Sequence, residues 1–239
     1  MLVAHPATVY ADCVTENAKL VNKSREDLIL DAAADLLVRW GYRRVTIEDV
    51  AKQARIGKGT VYLHFRTKES LFLAVLLRSH HGVLAGMAER MEADPAEALP
   101  SRCVRSVYRT LLDDPVTRRL YLGDAELLGR LAHEAAIALS DLAARRDEVG
   151  LAWIGLLREA GLLRTDLAPD EQLYVFTAIG GGFFFLDGAP PAYGDFAPDR
   201  RADLLEHTLH CALEVPGAVP SAELAAAAAA LFRSLIDHF

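Results

Sequence analysis

An all-α fold follows from three observations on this 239-residue sequence. Apolar residues recur at helical spacing through most of the chain, and no convincing stretch alternates with period two as a half-buried strand would. Capping residues, prolines and glycines stand at the ends of those apolar runs, where helices start and stop. Residues 46–68, TIEDVAKQARIGKGTVYLHFRTK, hold two short helical patterns joined by a turn too tight for any other connection, a helix-turn-helix. The expected architecture is an N-terminal three-helix head followed by a larger helical domain. Its expected divisions are a mobile arm over 1–22, the head over 23–68 and the helical domain over 69–239.

Residues 1–22 mix polar residues and Pro6 without a sustained period, hence the arm. Ser24 with Asp27 caps a helix whose Ile29, Ala33, Leu36, Leu37 and Trp40 share a face, and Gly41 stands where a C′ glycine ends it. Thr46 with Asp49 opens the next helix, and Ile47, Val50, Ala51 and Ala54 follow at i, i+3, i+4 and i+7. The third starts near Gly57. It keeps Val61 and Phe65, four apart, for the core, so Lys58, Thr60, Tyr62 and His64 lie on other faces.

Residues 68–93 form one long helix that stops before Asp94-Pro95, because a residue before proline is pushed out of the helical region. Another runs from Pro95 or Pro100 to Leu112, and Asp113-Asp114-Pro115 breaks it. A short helix or pair is expected over 116–132 and a long amphipathic one over 133–160, stopped by Gly161. Helices over 169–187 and 199–214 follow, with a glycine- and proline-rich loop between them, and Ser221 caps a final alanine-rich helix over 221–238. The Gly180-Gly181-Gly182 run reads either as a place where helices approach closely or as a flexible break. It is not a phosphate loop, since no strand precedes it and no Lys-Ser/Thr follows.

The net charge of −7 is unevenly spread: residues 19–68 carry +5 and the remainder −12. The basic part is the helix-turn-helix part, as an electrostatic footprint on DNA requires, and the acidic remainder favours docking by one end. Cys13, Cys103 and Cys211 are scattered, with no CxxC pair and no metal-ligand spacing, so they read as free thiols in a reducing compartment. A redox-sensing Cys103 is the less common alternative to a small buried hydrophobe. No basic region followed by an apolar run opens the chain, and the most apolar stretch, residues 173–186, falls short of the roughly 20 residues of a membrane helix. A soluble, cytoplasmic protein without cofactor or metal is expected.

Residues Thr46, Ile47, Val50, Ala51, Ala54, Ile56, Lys58, Gly59, Thr60, Val61, Tyr62, His64, Phe65, Lys68, Glu69 and Leu71 together resemble the DNA-binding domain of the TetR family of bacterial transcriptional regulators. The resemblance implies that Thr46, Tyr62 and Lys68 contact DNA phosphates, and that Lys58, Gly59, Thr60 and His64 lie in or beside the major groove. It also implies a homodimer on a pseudo-palindromic double-stranded operator, paired through the helices equivalent to 169–187 and 199–214. Release by a small-molecule effector, and repression rather than activation, are likewise family expectations. Two residues depart from the pattern: Arg55 stands where relatives carry glycine, and Gly57 where they carry serine or a similar cap. A turn needing positive φ costs a non-glycine residue about 1 kcal/mol. Either a phosphate contact by Arg55 recovers that cost or the turn differs.

The effector would occupy a mainly apolar pocket in the helical domain, for which Tyr108, Tyr121, His133, Trp153, Tyr174, Phe176 and Phe183 to Phe185 are available and Tyr121, His133, Trp153 and Phe176 are the candidates chosen. The competing reading is a helical-scaffold enzyme or metal-binding protein using His80-His81 or His133-Glu134. The sequence offers no HExxH, nucleophile elbow or dinucleotide fingerprint to support it, and no catalytic residue is expected. A helical adaptor binding only protein would lack salt-dependent DNA affinity altogether.

Overall fold

The computed structural model describes residues 24–116, 118, 136–188 and 196–236. The expected arm over 1–22, nearly all of the short helix expected over 116–132, Cys13, and the candidates Tyr121 and His133 lie outside these residues. The chain divides into two compact units between Val75 and Leu76.

The first unit begins with α1, Arg25–Trp40. Asp27 N–H donates to Ser24 Oγ at 3.1 Å while Ser24 N–H donates to Asp27 Oδ2 at 3.2 Å, so each end of the capping box satisfies an otherwise orphaned donor. Gly41 closes the helix at φ 75°, a conformation that costs a residue with a Cβ. The buried face is Ile29, Leu30, Ala33, Leu36 and Leu37. Trp40, expected on that face, is 42% exposed: it is the last helical residue, and the next buried aromatic is Tyr42, beyond the glycine. Tyr42 meets Phe72 edge to face at 5.2 Å, and its hydroxyl donates to Glu69 at 2.7 Å. Helices α2, Ile47–Gln53, and α3, Lys58–His64, follow, and the first two turns of α4, Lys68–Ala93, bury Leu71, Phe72 and Val75 in this unit.

In the second unit α4 continues through Leu84, Ala88 and Met91, all buried. By length and composition α4 is, among the described residues, a helix long and apolar enough to cross a membrane, longer than the stretch singled out from the sequence. Leu71, Phe72, Val75, Leu76, Leu84, Ala88 and Met91 of this helix are buried in the fold, and the rest of its apolar residues are partly or fully exposed. A 3-10 turn, Pro95–Ala98, leads into α5, Pro100–Asp113, so both prolines start helices. The rest is α6, Ala136–Glu159; α7, Pro169–Gly188; α8, Pro198–Leu213; and α9, Ala222–Ile236. The three glycines lie inside a continuous α7. The alanine run of α9 is core: Ala225, Ala228, Ala229, Phe232 and Leu235 are buried at helical spacing. Among the described residues, extended pairing is limited to one antiparallel bridge between Leu163 and Glu214.

Polar groups inside this unit are placed where they join helices distant in sequence. The Trp153 indole N–H donates to the carbonyl of Ala98 at 3.0 Å. Asp187, at the end of α7, accepts from the Tyr108 hydroxyl and pairs with Arg201 at 2.5 Å, tying α5, α7 and α8 together. Burial first, then that hydrogen bond, pushes the Tyr108 phenol well above its usual range. Glu214, just past α8, is buried and accepts from Ser101 N–H at 2.8 Å and Ser101 Oγ at 3.0 Å. It therefore caps the first turn of α5 from outside, where the helix has unpaired N–H groups and favours negative charge.

Glu214→Ala strands two buried donors and should lower stability by about 2–3 kcal/mol, against about 1 kcal/mol for Ser101→Ala. Urea unfolding should show this as a lower midpoint at unchanged slope. Equal effects of the two substitutions would contradict the capping role.

Candidate nucleic-acid interface

The turn between α2 and α3 is built from three backbone hydrogen bonds. Ala54 N–H donates to Val50 O at 2.8 Å, Arg55 N–H to Lys52 O at 3.2 Å and Ile56 N–H to Ala51 O at 3.0 Å. The last two form a Schellman closure, whose C′ residue takes the left-handed conformation. That residue is Arg55, at φ 57°. The turn thus has the geometry a glycine would adopt, with an exposed arginine bearing the strain. Gly57 then leads into α3 in an extended conformation at φ −71°, without a side-chain cap.

Val61, fully buried, and Phe65, 7% exposed, fix α3 to the head. The predicted DNA-facing residues are distributed around the rest of the motif. The Thr46 hydroxyl caps α2, accepting from Asp49 N–H at 3.2 Å and donating to Asp49 Oδ2 at 2.6 Å, and that hydrogen bond holds the Asp49 carboxyl below its usual range. Lys58 is paired with Glu48, with its ammonium 5.6 Å from the centre of the Tyr62 ring. The hydrogen bond from Lys58 lowers the Glu48 carboxyl pKa and raises that of the ammonium. Gly59 is exposed, and a Cβ there would meet nothing within 4 Å. Thr60 is half-buried, while Tyr62 and His64 are exposed. Lys68 is half-buried: its ammonium donates to the carbonyl of Tyr42 at 2.5 Å and lies 4.1 Å from the centre of that ring.

Arg55 and further residues not singled out from the sequence are also exposed in this unit. Arg43, Arg44, Lys52, Arg55 and Arg66 are exposed cations in the same unit. Leu63, on α3, is 85% exposed. Counting positions around α3 from Val61 and Phe65 places Leu63 outward, a signal that the pattern of polar residues does not carry.

The second unit holds a cavity of about 300 Å³. Of the four candidates, Trp153 and Phe176 line it, meeting edge to face at 5.4 Å. The lining is apolar except for His80, Arg146, Asp147 and Thr177. Burial, then Arg146 and His81, pushes the His80 imidazole down to about 4, so it is neutral at pH 7. Cys103 also lines the cavity, and burial pushes its thiol up to about 12. A thiol held protonated is a poor nucleophile, which favours the packing reading of Cys103 over redox sensing. Among the described residues no three His, Cys, Asp or Glu side chains gather as a metal site. On α7 the outward residues Tyr174, Ala178, Gly181, Gly182 and Phe185 form one stripe, with Tyr174 75% and Phe185 76% exposed.

Residues 29–75 match the family described as bacterial regulatory proteins, tetR family. Over 197 residues the chain is 28% identical to the transcriptional repressor KstR of Rhodococcus jostii, covering 74% of this chain and 91% of that protein. It is 41% identical to the regulator QacR of Staphylococcus aureus over 51 residues, 21% of this chain and 27% of QacR. The fold is similar to that of SmeT in complex with triclosan, with a TM-score of 0.61 and 24% identity, covering 83% of this chain and 96% of that structure.

Arg55→Gly should relieve the left-handed strain and stabilise the head by about 1 kcal/mol. Amide exchange at Val50 and Val61 should then slow roughly five-fold. Unchanged exchange would mean that Arg55 makes compensating contacts.

Proposed function

We propose that this chain, which belongs to the tetR family of bacterial regulatory proteins and regulates transcription by binding DNA, is a repressor that binds a pseudo-palindromic operator as a homodimer and leaves it when a small molecule fills the cavity. One observation carries the reading: a recognition helix anchored by Val61 and Phe65 faces outward from a segment of charge +5 in a chain of charge −7. Thr46, Tyr62 and Lys68 position the head on phosphates; Lys58, Gly59, Thr60 and His64 lie in or beside the major groove. The repressor KstR, similar over most of both chains, supports the sign of regulation. No catalytic step is required, and the site of action is the cytoplasm, where the operator is.

A single seven-residue reading helix spans too few base pairs for useful genomic specificity, so two are needed. The exposed stripe of α7 is the surface we assign to the pairing, together with α8. Gly181 and Gly182 carry no side chain there, so two helices can approach closely between Tyr174 and Phe185.

The cavity would hold a compact, mostly apolar effector against Trp153 and Phe176, with a polar group at the His80 and Arg146 end. Triclosan bound to SmeT, whose fold is similar, supports this size and character. The route from cavity to head is covalent. Helix α4 starts at Lys68, after only Arg66 and Thr67 beyond Phe65, and supplies His80, Val83, Leu84 and Met87 to the cavity. An effector with about 3 kcal/mol of preference for the unbound state would lower operator affinity roughly 150-fold.

Selection of genomic fragments with the purified chain should enrich an inverted repeat with major grooves about 34 Å apart or a multiple of it, bound by a species that scatters light as a dimer. Lys68→Ala should weaken binding to every duplex alike and reduce the salt slope by about one. Enriched sites without two-fold symmetry would refute the dimeric reading. For release, calorimetry with an effector of the regulated genes should give a weaker effector affinity in the presence of operator, by the same factor as the effector weakens operator binding. Equal effector affinity with and without operator would refute the switch.

A further inference from the structure

We infer that Leu63 is a specificity-determining residue that reads the C5-methyl group of a thymine in the operator. An isolated exposed leucine is ordinary on a protein surface. Leu63 differs from that case by its position. At roughly 100° per residue, it lies about 180° around α3 from the midpoint of Val61 and Phe65, the two residues that fix the helix to the head. It is therefore the residue that points most directly away from the protein, on the helix that the operator reading puts in the major groove.

Its surroundings restrict what it can recognise. Gly59, one turn earlier on the same face, has no side chain, and a Cβ there would meet nothing within 4 Å, so the backbone beside Leu63 can approach base edges closely. Lys58, five residues earlier, is held on the flank by Glu48 and the Tyr62 ring, Thr60, one turn earlier, is half-buried, and Arg66, three residues on, lies beyond the end of α3. The centre of the outward face is thus apolar. Among the groups a base pair presents in the major groove, the apolar one is the thymine methyl; the others are hydrogen-bond donors and acceptors. Covering that methyl removes two apolar surfaces from water without leaving a polar group on either side unpaired.

The inference rests on α3 being the operator-reading helix, and the test separates the two. The probe is the duplex enriched by selection from genomic fragments, in which each dT is replaced in turn by dU, a change that removes only the methyl group. For the parent chain, one dU position in each half-site should weaken binding about four-fold, and about fifteen-fold when both half-sites carry it. Leu63→Ala should bind the unmodified duplex more weakly by a comparable factor and be insensitive to the same dU. Its side chain makes no core contact, so its melting temperature should match that of the parent. If no dU position weakens the parent, or if dU weakens parent and Leu63→Ala equally through DNA shape, the assignment is overturned while operator binding stands. If no duplex is enriched at all, the operator reading fails and this inference falls with it.

Discussion

A helix of seven residues does not hold together in water by itself. Everything that α3 presents outward therefore depends on the burial of Val61 and Phe65 and on the turn that delivers the chain to them. The Schellman closure at Arg55 fixes the exit direction from α2, and the capping pair Thr46 and Asp49 fixes its entry. On the far side, Leu71, Phe72 and Val75 of α4 complete the same small core, with Tyr42 against Phe72. A head of this kind is organised from the inside. The face offered to DNA is what remains after the buried positions have been taken.

The second unit solves a different problem, since it must be firm and yet keep a space. Helix α5 is pinned along its length: Ser101 to Glu214 near its start, Arg105 to Asp203 and Glu206 in its middle, Tyr108 to Asp187 further on. Helix α4 faces the cavity chiefly with Val83, Leu84 and Met87. Apolar contacts are non-directional and shift at lower cost than charged pairs with fixed geometry. Toward the cavity the two walls thus differ in character, while α4 is itself tied further along by Glu92 to Arg233.

What was legible in the sequence was local. Ser24 with Asp27 and Thr46 with Asp49 are capping boxes, Gly41 and Gly161 take positive φ, and Pro100 and Pro169 start helices, because each signal acts over three or four residues. Trp153 and Phe176 were found because large apolar side chains on amphipathic helices end up facing interior space. Trp40 was misplaced because its periodicity fits the core face while the chain turns away at Gly41. The alanines of α9 read as helix propensity alone; that they pack in the core depends on which helices cross them. Glu214 and Ser101 are 113 residues apart, and His80, Arg146 and Thr177 come from three helices, so no window along the chain could bring them together. Leu63 was overlooked for a chemical reason: polar groups were sought on a face whose centre is apolar.

Gly180 lines the cavity from α7, and a Cβ built on it would meet only Val104, at an ordinary 3.8 Å. Part of the cavity is therefore space that a missing side chain leaves open. Replacing this glycine by alanine would favour the helix by about 0.5–1 kcal/mol, and a still larger residue would begin to fill the cavity. Helix propensity and open volume thus pull in opposite directions at one position of α7, in the unit that does not carry the helix-turn-helix.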